Sequence, residues 1–127
     1  EMDKAHVDLL KEAKLFHIED NKAFVHGGFN PKQPIEKQPP RNFLWGRKLA
    51  QFALRNYNHF IDEKVSDYDE IFLGHTPVHR FGHNTPVRNS GICLMDTGAG
   101  HGGKLSMMNI DTHELFQSDP VSKLYSE

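Results

Sequence analysis

The sequence has little of several features that mark common classes of protein. Its single cysteine, Cys93, excludes an internal disulfide framework and favours a reducing cytoplasm. No apolar run approaches the roughly 20 residues of a membrane-spanning helix, and the first residues do not resemble a signal peptide. Lysine and arginine together number 15 against 17 acidic residues, so the net charge of −2 gives no global attraction to nucleic acid or anionic lipid. We therefore expect a cytoplasmic protein with neither nucleic acid nor membrane as a partner.

Familiar catalytic signatures are also missing. The sequence contains no Gly-x-Ser-x-Gly elbow, no Cys-x-x-Cys pair and no His-Glu-x-x-His helix. Residues 100–103, Gly-His-Gly-Gly, resemble a phosphate loop only superficially, since Leu105 follows Lys104 where a P-loop has serine or threonine. Cys93 lies in an apolar run, Ile-Cys-Leu-Met, which is typical of a core residue and not of a nucleophile.

Histidine, by contrast, is abundant, with nine in 127 residues. Two of them share a special context: residues 24–29 read Phe-Val-His-Gly-Gly-Phe, and residues 71–77 read Ile-Phe-Leu-Gly-His-Thr-Pro. Each motif is an apolar strand that ends at a histidine and a turn, where ligands and metals tend to bind in sheets. His26 and His75 are therefore candidate metal ligands through neutral ring nitrogens. Taken singly, each fits slightly better a structural histidine bonded to a backbone carbonyl at a turn.

The remaining patterns predict an α/β (α+β) fold in one domain, 1–127, with no repeat and no second domain. Four further histidines, His6, His17, His59 and His113, have polar neighbours and are interpreted as scattered surface residues. The predicted elements are a helix over 3–14, a hairpin of 15–18 with 23–26, an irregular loop over 27–41, one long helix over 42–61, a strand over 68–73, a polar loop over 78–90, strands over 91–96, 104–110 and 115–117, and a tail over 118–127.

Arg47 and Asp96 each have more than one interpretation from the sequence. Arg47 is either an exposed helical arginine, the commoner situation, or a guanidinium that clamps a phosphate. Gly46 before it is a poor helix former, which suggests a special backbone or a close approach. Asp96 ends an apolar strand and fits a metal ligand, a carboxylate that orients a histidine, or a turn cap; the last two are favoured.

Four segments in order resemble the calcineurin-like metallophosphoesterases. They are Phe-Val-His-Gly-Gly at 24–28, Trp-Gly-Arg at 45–47, Phe-Leu-Gly-His-Thr-Pro at 72–77, and Met-Asp-Thr-Gly-Ala at 95–99 running on into Gly-Lys-Leu at 103–105. Within that superfamily the chain is most similar to the serine/threonine protein phosphatase branch in its bacterial and phage form. Other branches often have Gly-His-x-His, where this chain has Pro77 as the last residue.

The resemblance implies a role for each matching residue. His26 and His75 match two ligands of the same metal, the second of a two-metal centre. Arg47 matches an arginine that holds the substrate phosphate. The implied cofactors are divalent ions, Mn or Fe/Zn, and the implied substrates are phosphorylated proteins or small phosphoesters.

The resemblance also implies a partial site. The family's Asp-x-His, Gly-Asp-x-x-Asp-Arg-Gly and Gly-Asn-His motifs precede the Val-His-Gly-Gly segment, and none of them occurs in the 25 residues before His26. We therefore expect the C-terminal half of a metallophosphoesterase β-sandwich, inactive alone and prone to form a homo-oligomer through its exposed sheet surface. The alternatives are a non-catalytic interaction module and a dinucleoside polyphosphate hydrolase.

Overall fold

The fold is α/β, and the computed structural model describes residues 2–125. Helices and a mixed five-stranded sheet form the larger part, and a two-stranded antiparallel sheet is added to it. In chain order the elements are α1 (Lys4–Lys11), β1 (Phe16–Glu19), β2 (Lys22–Val25), α2 (Pro40–Trp45), α3 (Lys48–Asn58), β3 (Glu70–Leu73), β4 (Val87–Asn89), β5 (Ile92–Leu94), β6 (Ser106–Met108), β7 (Leu115–Gln117) and α4 (Val121–Leu124).

The five-stranded sheet has the order β1-β2-β3-β5-β4. Its three central strands, β2, β3 and β5, are parallel, and an antiparallel strand closes each edge. Val25 of β2 pairs with Leu73 of β3, which pairs with Leu94 of β5. This register brings the carboxyl ends of three strands to one edge of the sheet, where the loops of an α/β fold bind ligands.

The hydrophobic core lies between one face of this sheet and α3. Alternate strand residues point into it, because side chains along a strand alternate between the two faces. Helix α3 buries Leu49, Ala50, Ala53 and Leu54, the three- and four-residue spacing of a helix with one apolar face. The core residues of the strands are Ala23, Val25, Ile71, Leu73, Val87, Ile92 and Leu94.

The predicted hairpin is confirmed, with its strands displaced by one residue at the turn. Asp20 and Asn21 both have positive φ, 48° and 56°, as the two-residue turns favoured in hairpins require. Because Asn and Asp tolerate this region well, the turn needs no glycine. Helix α1, the strands β3, β5 and β6, and the outer strand β7 lie near their predicted positions.

Three sequence predictions about the elements are wrong. The long helix over 42–61 is two helices, because the chain leaves helical geometry at Gly46 and Arg47. The polar loop over 78–90 contains β4, an edge strand whose Val87 alone is buried. The tail over 118–127 contains the short helix α4. Each error comes from a short or interrupted element whose own pattern of apolar residues is weak.

The opposite face of the sheet carries a second, smaller apolar group. Phe24 and Phe72 stack with their ring centroids 5.1 Å apart, and Cys93 is the register partner of Phe72. The segment joining β6 to β7 is tied to the sheet by the Lys22–Asp111 ion pair and the His113–Glu70 hydrogen bond, with N···O distances of 3.7 Å and 2.7 Å. Within residues 2–125, none of the helices has the length and apolar content needed to cross a membrane.

Candidate functional site

The structure brings His26 and His75 together at the carboxyl edge of the parallel strands. Their ring centroids are 4.9 Å apart, with the ring planes inclined at 55°. His26 directly follows β2, and His75 follows β3 after Gly74. The Gly74 N–H donates to the His26 carbonyl at 2.9 Å, which continues the parallel pairing just past the strands. Two imidazoles that lie 49 positions apart in the sequence thus become neighbours through strand register alone.

The backbone at His75 is strained. Its φ is +63°, and the Thr76 N–H donates to the Gly74 carbonyl at 2.6 Å, so His75 is the central residue of a γ-turn. A non-glycine residue in a sparsely populated region costs on the order of 1–3 kcal/mol and persists where surrounding structure enforces it. This turn aims the His75 ring towards His26 and away from the core.

Arg47 lies in the break between α2 and α3 and contacts His75. Its Nε donates to Nε2 of His75 at 3.4 Å, while the side chain stays largely exposed to solvent. The break depends on Gly46, where an added Cβ would lie 2.5 Å from the Asn42 carbonyl oxygen. The sequence expectation of a close approach at Gly46 is therefore correct, and Arg47 lies in the N-cap position of α3.

The glycine turn after His26 holds α2 in place. The N–H groups of Gly27 and Gly28 donate to the carbonyls of Phe43 and Asn42 at the end of α2, and the Asn42 carbonyl also accepts the Gly46 N–H. An added Cβ on Gly27 would lie 2.9 Å from the Phe43 oxygen and close to Gly46. The turn after β2 and the break between α2 and α3 are thus packed backbone against backbone, with no room for a side chain at Gly27.

The electrostatics of the site favour the neutral form of His75. Its pKa is lowered from the usual 6.5, first by burial, then by the positive charges of His26 and Arg47, and the Asp96 carboxylate opposes this. Trp45 contacts the same ring edge-on, with centroids 5.6 Å apart, although its indole is 71% exposed. A neutral imidazole is the form that binds a metal ion.

Asp96 caps the turn that follows β5. Its Oδ1 accepts the Gly98 N–H at 2.9 Å, and its carbonyl accepts the Val78 N–H at 2.8 Å. The turn-cap interpretation is therefore confirmed. The carboxylate is also close enough to His75 to affect its pKa, so an electrostatic influence on the site accompanies the structural role.

Among the described residues, His26 and His75 are candidates for two coordination positions of one metal ion, and no third ligand is placed with them. His26 and His75 provide two adjacent imidazoles, a ligand type suited to Mn, Fe or Zn. Among residues 2–125, no group of three or more His, Cys, Asp or Glu side chains is placed to hold a metal ion. A catalytic zinc site, for comparison, has three protein ligands and an open position. The described residues thus fit part of a metal site only.

Sequence reasoning missed a second polar cluster, at the amino end of β3. Glu70 is buried there, and its carboxylate accepts from Arg88 Nε at 3.2 Å and bonds His113 Nε2 at 2.7 Å. The interpretation of His113 as a scattered surface residue is therefore wrong, since its side chain is only 27% exposed. Nothing in its local sequence could indicate this, because Glu70 is 43 positions away.

The chain matches no protein-family model and no curated protein sequence.

Proposed function

We propose that this chain is part of a metal-dependent phosphoesterase of the serine/threonine protein phosphatase type, which hydrolyses phosphomonoesters with a metal-activated water. The observation that carries the proposal is the convergence of His26, His75 and Arg47. Two imidazoles and one guanidinium meet at the carboxyl edge of parallel strands, with 4.9 Å between the rings and 3.4 Å between Arg47 Nε and His75 Nε2. These are the three residues that the sequence resemblance assigns to the site.

Each residue has a distinct task in the proposed site. His26 and His75 offer one ring nitrogen each to the same divalent ion, and Arg47 releases Nε2 of His75 when the ion binds there. A bound ion of this kind lowers the pKa of a coordinated water and polarises the phosphoryl oxygens. Arg47 holds the substrate phosphate, since its guanidinium forms no ion pair with a carboxylate among residues 2–125 and is open to solvent. A planar guanidinium matches two phosphate oxygens at once.

The proposed activity needs groups that the described residues do not supply. Two nitrogen ligands leave most of a coordination sphere to other residues. We therefore expect the 127-residue chain to bind a divalent ion weakly and to have little or no turnover by itself. The missing ligands come either from a longer parent polypeptide or from another subunit.

Metal titration of the chain tests the histidine pair directly. Trp45 is the single tryptophan and contacts His75, so its fluorescence reports a metal ion at that ring. Adding Mn²⁺, which is paramagnetic, should quench it, and His26→Gln or His75→Gln should abolish the response. His6→Gln is the matched control, because His6 is exposed on α1. A response that survives both site variants would refute the ligand assignment.

Phosphatase assays test the partial site. A parent protein that carries the family's upstream motifs should turn over a phosphomonoester with Mn²⁺, and Arg47→Ala should reduce that turnover. The isolated chain should be nearly inactive under the same conditions. Robust turnover by the isolated chain would contradict the partial-site proposal.

The incomplete donor set also favours a second candidate, a non-catalytic interaction module derived from this fold. It predicts a parent gene without the upstream motifs and no phosphatase activity in its product. The buried free thiol of Cys93 supports a cytoplasmic location for either candidate.

Self-association through exposed sheet surface is part of the proposal. The outer face of the β6–β7 hairpin exposes Met107 and Phe116, which are register partners and 68% and 54% exposed, and Leu105 precedes them. Large exposed apolar side chains on adjacent strands are typical of interaction surfaces. Light scattering should show a dimer or larger assembly; a clean monomer would count against it.

A further inference from the structure

A groove of about 590 Å³ lies directly beside Arg47. Its floor is apolar and is formed by Phe29, Leu49, Phe52 and Val65, where the loop after β2 meets the start of α3. The volume falls within the roughly 300–1,000 Å³ of small-molecule sites, which are mostly apolar with a few placed polar groups. None of the floor residues belongs to the histidine pair, so the groove is an addition to that site.

The rim of the groove carries only positive charge. Lys32, Arg47 and Lys48 line it, and no aspartate or glutamate among residues 2–125 does. Neither lysine forms an ion pair within the described part of the chain. Because the whole chain has a net charge of −2, three unneutralised cations around one apolar floor are a local exception. Such a groove is complementary to an anion with an apolar body.

Arg47 fixes how a ligand would lie. Arg47 lines the groove, and its Nε bonds His75 of the histidine pair. A phosphate held by Arg47 therefore lies at the histidines, and the organic group attached to it points along the groove. The adjoining cations Lys32 and Lys48 then face any further negative charge on that ligand.

We infer that the groove is the binding site for the organic group of the substrate, and that this substrate is a small aromatic phosphoester. The inference rests on the proposed function in taking Arg47 as the phosphate ligand. Phe52, which is only partly buried, favours a flat ring, because aromatic pairs gain from offset or edge-on contact. The volume of about 590 Å³ favours a compact group over an extended phosphopeptide, which binds along a longer surface.

Binding of 1-naphthyl phosphate to the full 127-residue chain tests the inference. The titration is done in chelator, followed by calorimetry and by NMR of the backbone amides. The phosphoester should bind roughly tenfold or more tightly than inorganic phosphate, since burying the ring adds apolar contact. Its largest amide shifts should fall on Phe52, Val65 and their neighbours, not on β6 or β7.

Variants at the rim and at the floor of the groove distinguish the contribution of charge to binding from that of apolar contact. The double variant Lys32→Gln, Lys48→Gln should weaken 1-naphthyl phosphate several-fold and leave the uncharged 1-naphthol unchanged. The double variant Lys11→Gln, Lys14→Gln, an equal loss of two charges at exposed positions at and just after the end of α1, is the matched control. Phe52→Leu should weaken both ligands, because it removes ring contact and keeps a partly buried apolar side chain.

Two results would overturn the inference: 1-naphthyl phosphate binding no tighter than inorganic phosphate, or a phosphoserine peptide binding tighter than the aromatic ester. The titration contains no metal ion, so it is read independently of the histidine pair. A chain that binds the ester but never a metal refutes the proposed function alone. A chain that binds Mn²⁺ at His26 and His75 but not the ester refutes the groove alone.

Discussion

Arg47 donates a hydrogen bond from its Nε to Nε2 of His75, across 28 positions of sequence and the break between two helices. A cation beside an imidazole disfavours the protonated ring. The contact favours the neutral ring, but it also uses the lone pair of Nε2. In the proposed site Arg47 must release this nitrogen when a metal ion binds there, and its guanidinium then becomes available to the phosphate.

Removing the arginine should raise the pKa of His75. Burial and the positive charges of His26 and Arg47 lower this pKa below 6.5, so Arg47→Ala removes one of the three causes. NMR titration of the ring signals measures the change directly. Arg47→Lys is the matched control, because it keeps a positive charge, and it should leave the pKa below 6.5. An unchanged pKa in Arg47→Ala would show that the charge of Arg47 has no influence on the ring.

The same shift predicts how stability depends on pH. A histidine whose pKa is lowered by folding binds fewer protons in the native state than in the unfolded chain. Protonation of His75 in the unfolded chain therefore lowers the free energy of unfolding as the pH falls below 6.5. It has no effect well above that value. Denaturant titrations across this range should show a shallower acid loss for His75→Gln than for the parent chain. An identical loss in both proteins would contradict the prediction.

The turn at His75 predicts an unusual order of stability among its variants. Both His75→Gly and His75→Ala remove the ring, but glycine adopts the φ of +63° without strain. We expect the glycine variant to be more stable than the alanine variant by about 1 kcal/mol, measured by chemical unfolding. At His26, which has no positive φ, the order should reverse because glycine adds freedom to the unfolded chain. Equal stability of the two His75 variants would mean that the turn stores no strain.

Strand register explains why the sequence could predict this site. His26 and His75 each follow a run of apolar residues that forms a buried strand, and parallel strands place their carboxyl ends at one edge. The strands and the hairpin were therefore accessible from local pattern, whereas a shared role for the two histidines was expected from the family resemblance. The fold class was accessible for the same reason, since strands and helices alternate along much of the chain.

Contacts between distant segments were not accessible in the same way. The bond between His113 and Glu70 joins a loop to the start of β3, and neither residue has a local signal for it. Gly46 was expected to mark a special backbone or a close approach, but the helix break itself was not predicted, because the carbonyl of Asn42 that excludes a Cβ becomes visible only in three dimensions. The cation-lined groove combines three separate stretches of chain and has no signature in any one of them.

Packing at Gly27 should make that position intolerant of even one methyl group. An added Cβ would lie 2.9 Å from the Phe43 oxygen and 3.0 Å from the Gly46 nitrogen, and both are backbone atoms that cannot rotate away. We expect Gly27→Ala to lower the free energy of unfolding by about 1–3 kcal/mol, as overpacking does in cores. Gly100→Ala is the matched control, since a Cβ there meets nothing within 4 Å. Similar losses in the two variants would show that general glycine effects, not this close approach, are responsible.

Cys93 should be inert towards thiol reagents while the protein is folded. Its side chain is fully buried on β5, and burial, with the nearby Glu70 carboxylate, raises the thiol pKa from 9.0 to about 12. The thiolate is the reactive form, so a disulfide reagent used below pH 9.0 finds neither access nor charge. Labelling should then follow the unfolded fraction across a denaturant titration, and the unfolded chain is the positive control. Rapid labelling of the folded protein would refute the burial of Cys93 against Phe72.

Because the native pKa of the Cys93 thiol lies above the unfolded value, the stability that this thiol contributes is complete below pH 9.0 and is lost as the pH rises towards 12.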